Sequence, residues 1–287
     1  MKVWLSFLSV AALLLSTLAQ AADIRFAVNA PRGPLEAKKW EALAQYLGQS
    51  IGKSVELVPL PPAKLDDAFE KGEIDFGLIN PVSAVIVSEK SGAKPMATMS
   101  AKGTPQFAGV IISKKGSGIT KSTDLKGKKV LAYQFGVSAG AWVFQTYHVM
   151  QMGVNSTEFA SFVESKKQDD IPLAVKSGVV DVGFVRTGLL ESMQKEGKIS
   201  IDDFIIIDEK KDVLPLVHST DLYPEWFLMA SKKASDEVAA KIKTAVLALK
   251  PGDAAAKSAA IDGFVEPISL ENLKTALKAL KVAPYAN

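Results

Sequence analysis

Ile24, Phe26 and Val28 fall at alternate positions of the segment 24–28, the period of two that predicts a short strand. A Pro/Gly loop follows, Pro31-Arg32-Gly33-Pro34, and Leu35, Trp40, Leu43 and Leu47 then carry the apolar stripe of an amphipathic helix. Residues 55–60 predict a second strand and 65–71 a short helix stopped by Gly72. Residues 74–79 predict a buried strand, and Pro81 opens a helix at the first position, where a missing amide hydrogen does no harm. Strand alternating with helix is the signature of a parallel α/β sheet.

The same order recurs 106 residues later. Residues 130–133 predict a strand, 134–140 a Gly-containing loop, 141–150 a helix and 161–164 the next strand. Gly72-Glu73-Ile74-Asp75-Phe76-Gly77 then finds its counterpart in Gly178-Val179-Val180-Asp181-Val182-Gly183. The constant offset predicts two lobes of one internal topology, the first made of residues 22–112 with 214–287 and the second of 113–213. Two apolar segments, 107–114 and 204–217, read as long strands passing between lobes. Helices are expected at 236–249, 254–261 and 270–280, returning to the first lobe.

The amino terminus has its own pattern. Lys2 precedes an apolar run over residues 3–18 that ends in Ala19-Gln20-Ala21, which reads as a secretory signal peptide, residues 1–21. The run is shorter than the roughly 20 apolar residues of a spanning helix, so the expectation is export to a periplasm as a soluble, monomeric protein. Zero Cys excludes disulfides, thiolate nucleophiles, a lipid-anchored lipoprotein and Cys-ligated metal, and two His leave little for a His-rich metal site. No cofactor is expected. A net charge of +3 does not suggest a nucleic-acid binder. The split inside that charge says more: of 34 basic residues only Arg25, Arg32 and Arg186 are arginine.

Ligands of open α/β sheets bind beyond the carboxyl ends of the strands. The repeat puts Arg32 and Ser138 at the first strand ends of the two lobes, and Asn80 and Arg186 at the third. Arg holds a planar oxyanion with two oxygens at once, so Arg32 and Arg186 are candidate anion ligands; the alternative is structural ion pairing with acids such as Glu36 or Asp169. Arg25, within a strand, reads as an edge or surface residue. Helix starts after Pro34, after Asn80-Pro81 and after Ser138-Ala139-Gly140 offer amide donors, each contributing about 0.3–2 kcal/mol toward an anion. His218, after an apolar strand, is either packed or a ligand contact, and His148 reads as an inert mid-helix residue. Tyr223 and Trp226 read as interlobe packing, with one of them an optional wall of the cleft. No Ser-His-Asp spacing, Gly-x-Ser-x-Gly elbow, Walker loop or His-Glu-x-x-His is present, so an ester hydrolase is only a remote alternative and the chain is not read as an enzyme.

Residues 28–34, Asp75-Phe76-Gly77-Leu78-Ile79-Asn80-Pro81, Ser122-Thr123-Asp124-Leu125-Lys126-Gly127-Lys128 and residues 180–187 together resemble the periplasmic phosphate/phosphite/phosphonate-binding proteins of ABC transporters. The likeness is closer still to the sensor domains of tetrathionate-responsive histidine kinases, in Arg32-Gly33-Pro34, Val185-Arg186-Thr187, residues 218–226 (His-Ser-Thr-x-Leu-Tyr-Pro-Glu-Trp) and Pro284-Tyr285. The resemblance implies a type 2 periplasmic binding protein, two α/β lobes with a ligand cleft between them, capturing a small oxyanion for an ABC permease or presenting it to a sensor histidine kinase. It adds Ala139 and Gln168 to the candidates, which become Arg32, Asn80, Ser138, Ala139, Gln168, Arg186 and His218. The departures narrow the ligand. Only Ser138 keeps a hydroxyl in a loop that is Ser/Thr-rich in phosphonate binders, Gln168 replaces a histidine, and Arg186 stands where binders of amine-bearing phosphonates place a carboxylate. Arsenite-sensing relatives rely on a Cys this chain lacks.

Overall fold

The computed structural model describes residues 23–29 and 37–286. The first sheet contains β1 (Ile24–Asn29), β2 (Val55–Leu60), β3 (Phe76–Ile79) and β4 (Lys94–Ser100), with helices α1 (Glu41–Ile51), α2 (Pro62–Glu70) and α3 (Pro81–Ser91) between them. A short β5 (Gln106–Phe107) leads to β6 (Gly109–Lys114) and β7 (Lys129–Tyr133). A π-helical turn, Ala139–Val143, then runs directly into α4 (Phe144–Gln151). After it come β8 (Ser161–Ser165), α5 (Asp170–Ser177), β9 (Val182–Arg186), α6 (Leu189–Lys195) and β10 (Phe204–Ile206). The last part holds β11 (Tyr223–Pro224), β12 (Phe227–Ala230), α7 (Asp236–Ala248), α8 (Ala254–Ala259), β13 (Gly263–Val265) and α9 (Glu271–Leu280).

The strands form a six-stranded sheet, β13-β4-β12-β3-β1-β2, a five-stranded sheet, β10-β6-β9-β7-β8, and the ribbon β11-β5. In each large sheet three parallel strands, β2-β1-β3 or β8-β7-β9, are flanked by one antiparallel strand, β12 or β6. That fourth strand is the first one the chain makes after passing between sheets, and the passage runs through the paired β5 and β11. The expected boundary at residue 112 therefore falls inside β6, all of which pairs in the second sheet. At the return, the Ser219 amide still bonds the Gly109 carbonyl, five residues beyond the expected boundary at 214. The expected strand 204–217 ends at Ile206, because Asp208 adopts a left-handed φ of 51° that breaks the ladder. Arg25 lies in an interior strand, its guanidinium at the surface on Glu56 (3.4 Å).

The repeated Gly-x-x-Asp-x-Gly motif has a structural cause. Asp75 accepts from the Arg25 amide (2.8 Å) while its own amide donates to the Arg25 carbonyl (3.0 Å). Asp181 makes the same pair of bonds with Lys129, at 2.8 and 3.0 Å. The second glycine admits a helix: a Cβ on Gly77 would stand 2.9 Å from Phe69, and one on Gly183 2.6 Å from Ile171. Strand pairing shows, however, that the offset is 106 only at the third strand. Arg25 matches Lys129 and Glu56 matches Ser161, offsets of 104 and 105. The first strand's shift of two preserves the face each side chain occupies, whereas the second strand's shift of one exchanges the faces, so the 106-residue match carries the faces of the first strand and not of the second. Equating Arg32 with Ser138 does not follow from the strand register.

Four buried clusters line the faces of the two sheets. One of them joins the lobes: Phe107, Ala139, Val143, Phe144 and Tyr223 share a cluster with Val82 and Leu277. Phe144 stacks on Tyr223 with ring centroids 3.8 Å apart, and Phe107 meets Phe144 edge-on at 5.1 Å. Burying an aromatic ring of this size contributes about 1.5–3 kcal/mol. α9, amphipathic through Leu273, Ala276 and Leu277, packs on α3 and α4 and closes this side.

Candidate functional site

Of the helices that follow parallel strands, the two that start at Asn80 and at Ser138 begin differently. Asn80 ends β3 and caps α3: its Oδ1 accepts from the Val82 amide (2.9 Å) and the Ser83 amide (3.1 Å), and its Nδ2 donates to Ser83 Oγ (3.2 Å). Pro81 has no amide hydrogen. The start of α3 is thus satisfied by its own cap, and the free donors expected there are already used. Behind it Asp66 is held largely from water, which raises its pKa to about 6 against the opposing hydrogen bond with Ser83.

Ser138 is the N-cap of the π-turn and makes no side-chain capping bond. The first backbone bond of this helix joins the Val143 amide to the Ser138 carbonyl (3.0 Å). The amides of Ala139, Gly140, Ala141 and Trp142 precede that bond and are left pointing out of the helix start. Gln145 bonds to this turn. From a fully buried position its Nε2 donates to the carbonyls of Gly140 (2.8 Å), Val185 (2.8 Å) and Val110 (3.3 Å). It ties the Gly140 carbonyl in the π-turn to the Val185 carbonyl at the end of β9.

Arg186, the last residue of β9, is therefore beside the π-turn. A Cβ on Gly140 would sit 3.2 Å from the Arg186 Cβ and 2.6 Å from the Phe107 ring, so only glycine lets these backbones approach. The guanidinium lies over Phe107 at 5.0 Å and donates from Nη2 to Glu225 Oε1 at 3.0 Å. The Arg186 amide donates to Gln168 Oε1 at 3.4 Å. The acid paired with Arg186 is thus Glu225, which the chain order hides, and neither Glu36 nor Asp169 is needed to explain it. Lys102 also reaches this end, its ammonium against Gly188.

The candidates consequently divide. Ser138, Ala139, Gln168 and Arg186 converge on one end of the second sheet. Asn80 is buried as a cap. His218 is completely buried with both ring nitrogens occupied, Nδ1 by the Leu216 carbonyl (2.9 Å) and Nε2 by Asp212 (3.2 Å), so the structure gives it packing and not ligand contact. The Leu214 amide, then His218, hold the Asp212 carboxyl below its usual range. Arg32 lies outside the described residues, as does the segment 1–21. His148, expected to be inert, is buried against Asp208 (3.0 Å), which also accepts from Ser122 Oγ. Tyr223 packs between lobes on Phe144, and its burial raises the phenol pKa. Trp226 stacks on Trp40 at 6.5 Å.

Gln145 and Glu225 were missed from sequence. A Gln inside an apolar helix signals a buried amide in need of partners, and Glu225 between Pro224 and Trp226 is a carboxylate in an aromatic setting. Among the described residues no group of three or more His, Asp or Glu could hold a metal ion, and no helix is long and apolar enough to cross a membrane.

The family model for the phosphonate periplasmic substrate-binding proteins of ABC transporters matches residues 27–270. The tetrathionate sensor histidine kinase TtrS of Salmonella typhimurium is 28% identical over 238 residues, 76% of this chain; the chain spans 38% of that protein's length. Among solved structures, XAC2383 from Xanthomonas citri, bound to ATP, is similar with a TM-score of 0.75 and 13% identity, covering 90% of this chain and 98% of its own. PhnD1 from Prochlorococcus marinus, in complex with methylphosphonate, has a TM-score of 0.71 and 14% identity over the same shares, 90% and 98%. At these identities the structures establish the fold, that of the type 2 periplasmic binding proteins.

Proposed function

The chain belongs to the phosphonate periplasmic substrate-binding protein family of ABC transporters, and from that premise we propose that it captures a small oxyanion between a lobe built on the six-stranded sheet and one built on the five-stranded sheet. The observation that carries this reading is the uncapped π-turn at Ser138–Gly140 set against Arg186. Backbone N–H groups converging at a helix start attract negative charge, and a guanidinium beside them adds two-pronged donation. Ser138 adds a hydroxyl and Gln168 a side-chain amide. Closure of the lobes would then surround the anion with donors away from water, where such bonds are strong. Arg32, which lies outside the described residues, is the second arginine this reading assigns to the anion.

Residues 1–21 act in this reading as the signal that sends the protein to the periplasm, where it works as a monomer. Output goes to an ABC permease, as the family suggests, or to a sensor histidine kinase, which the 28% identity to a tetrathionate sensor favours. Deleting the gene separates the two: a permease partner predicts lost uptake of the ligand, and a kinase partner predicts a lost transcriptional response with uptake intact.

A thermal-shift panel of phosphate, phosphite, methylphosphonate, sulfate, methanesulfonate, thiosulfate and tetrathionate tests the binding itself. A ligand of the native form raises the melting point, by about 2.7 kcal/mol of stability at a hundredfold excess over Kd. A panel that leaves the melting point unmoved would refute the oxyanion reading.

A further inference from the structure

The cation of the site does not stand alone. Glu225 is 4% exposed and spends one carboxylate oxygen on Arg186 Nη2 at 3.0 Å, while its second oxygen, also buried, has no partner among the described residues. Arg186 is the more open of the two, with 35% of its side chain accessible. Five N–H donors leave the guanidinium, and one goes to Glu225. An anion that takes the others therefore sits next to a buried carboxylate. Both carboxylate oxygens share one carbon, so no rotation of Glu225 that keeps its bond to Arg186 removes the negative charge from the neighbourhood.

We propose that Glu225 is a specificity-determining residue: it counterweights Arg186 so that this end of the cleft takes oxyanion head groups bearing one negative charge, sulfonates and singly ionised phosphonates, in preference to those bearing two, such as sulfate. This rests on the oxyanion reading of the Ser138–Arg186 site. The physical reason is additive charge. A single negative charge meets a guanidinium whose own charge is balanced and gains from the π-turn amides, which carry no net charge. A second charge on the same head group again meets a balanced Arg186–Glu225 pair and gains only the amides' attraction, which grows in proportion to charge, whereas the cost of taking the head group out of water grows as the square of its charge. The position of Glu225 makes the device firm. Its amide donates to the Pro105 carbonyl at 2.9 Å, and it follows β11 in the ribbon between the sheets, so the carboxylate is set by backbone and not by a mobile surface side chain.

Methanesulfonate and sulfate are matched probes, alike in sulfur–oxygen geometry and different in charge. Calorimetry on the wild-type protein is expected to show methanesulfonate bound about tenfold or more tightly, the scale of one charge interaction in a half-buried site. In E225Q, which keeps an oxygen for Arg186 and removes the charge, the ratio is expected to move toward sulfate by about tenfold or more. A merely structural Glu225 would weaken both probes alike and leave the ratio in place. A wild-type preference for sulfate, or an unmoved ratio in folded E225Q, overturns the proposal while leaving the oxyanion site intact. Should E225Q fail to show a cooperative melt, the wild-type ratio decides alone. If neither probe nor any other oxyanion releases heat, or if R186K leaves the affinities unchanged, the underlying site reading fails, and the proposal with it.

Discussion

The two helix starts at the strand ends, α3 at Asn80-Pro81 and the π-turn at Ser138-Ala139-Gly140, look equally suited to an anion when read from sequence. In three dimensions one is shut and the other open. Asn80 accepts from the Val82 and Ser83 amides with its side-chain Oδ1, the ordinary work of an N-cap, and proline removes a further donor. Ser138 makes no such bond, the turn has i+5 bonding, and Gln145 binds the Gly140 carbonyl within it. A helix start is an anion site only when nothing in the chain has already answered its amides, and that depends here on whether the N-cap side chain turns back on them.

The largest effect is expected at the open end. Arg186→Ala removes the cation and strands Glu225 as a buried unpaired charge; anion affinity should fall by about 2–5 kcal/mol, with a lower melting point. If calorimetry with a bound oxyanion shows less than a twofold change, the open end is not the site. Gln145→Leu tests what holds it open. It leaves the Gly140 and Val185 carbonyls without their donor, and a loss of about 3 kcal/mol in chemical denaturation is expected, accompanied by weaker anion binding and shifted amide resonances over residues 139–142. Unshifted resonances would show that the π-turn is set by backbone alone. The smallest effect belongs to the closed end. Asn80→Ala should cost about 1 kcal/mol of stability and leave anion affinity within twofold; a large affinity loss would mean that Asn80 reaches the ligand and that the contrast between the two starts is false.

Much of the fold was legible. Period-two and helical spacing located the parallel strands and most of the helices, because each lobe buries one face of each element against its own sheet. The Gly-x-x-Asp-x-Gly repeat was legible for a local reason: the aspartate and the strand it bridges, and the glycine and the helix it admits, recur wherever this βαβ arrangement is built. β12 and β13 were missed, since four and three residues are too short to show a period and their partners lie more than 120 residues away in the chain. The crossing was misplaced for a similar reason. Residues 107–114 form one apolar run, and only pairing with β11 on one side and β9 on the other divides it.

The site was legible as residue types and not as a circuit. An arginine among many lysines marked Arg186 as unusual, yet its partner Glu225 is 39 residues away, and no local pattern links them. His218 and Asn80 looked available because sequence shows donors without showing what they are bonded to. What the sequence by itself determined was the doubled βα pattern and the residue types offered at its strand ends, consequences of interactions a few residues long or of the two faces of a sheet. Which amides remain open, which carboxylate balances Arg186 and where the chain crosses were decided only by tertiary structure, because each depends on hydrogen bonds and charges meeting across tens of residues in a buried place, where an unmet partner carries a large penalty.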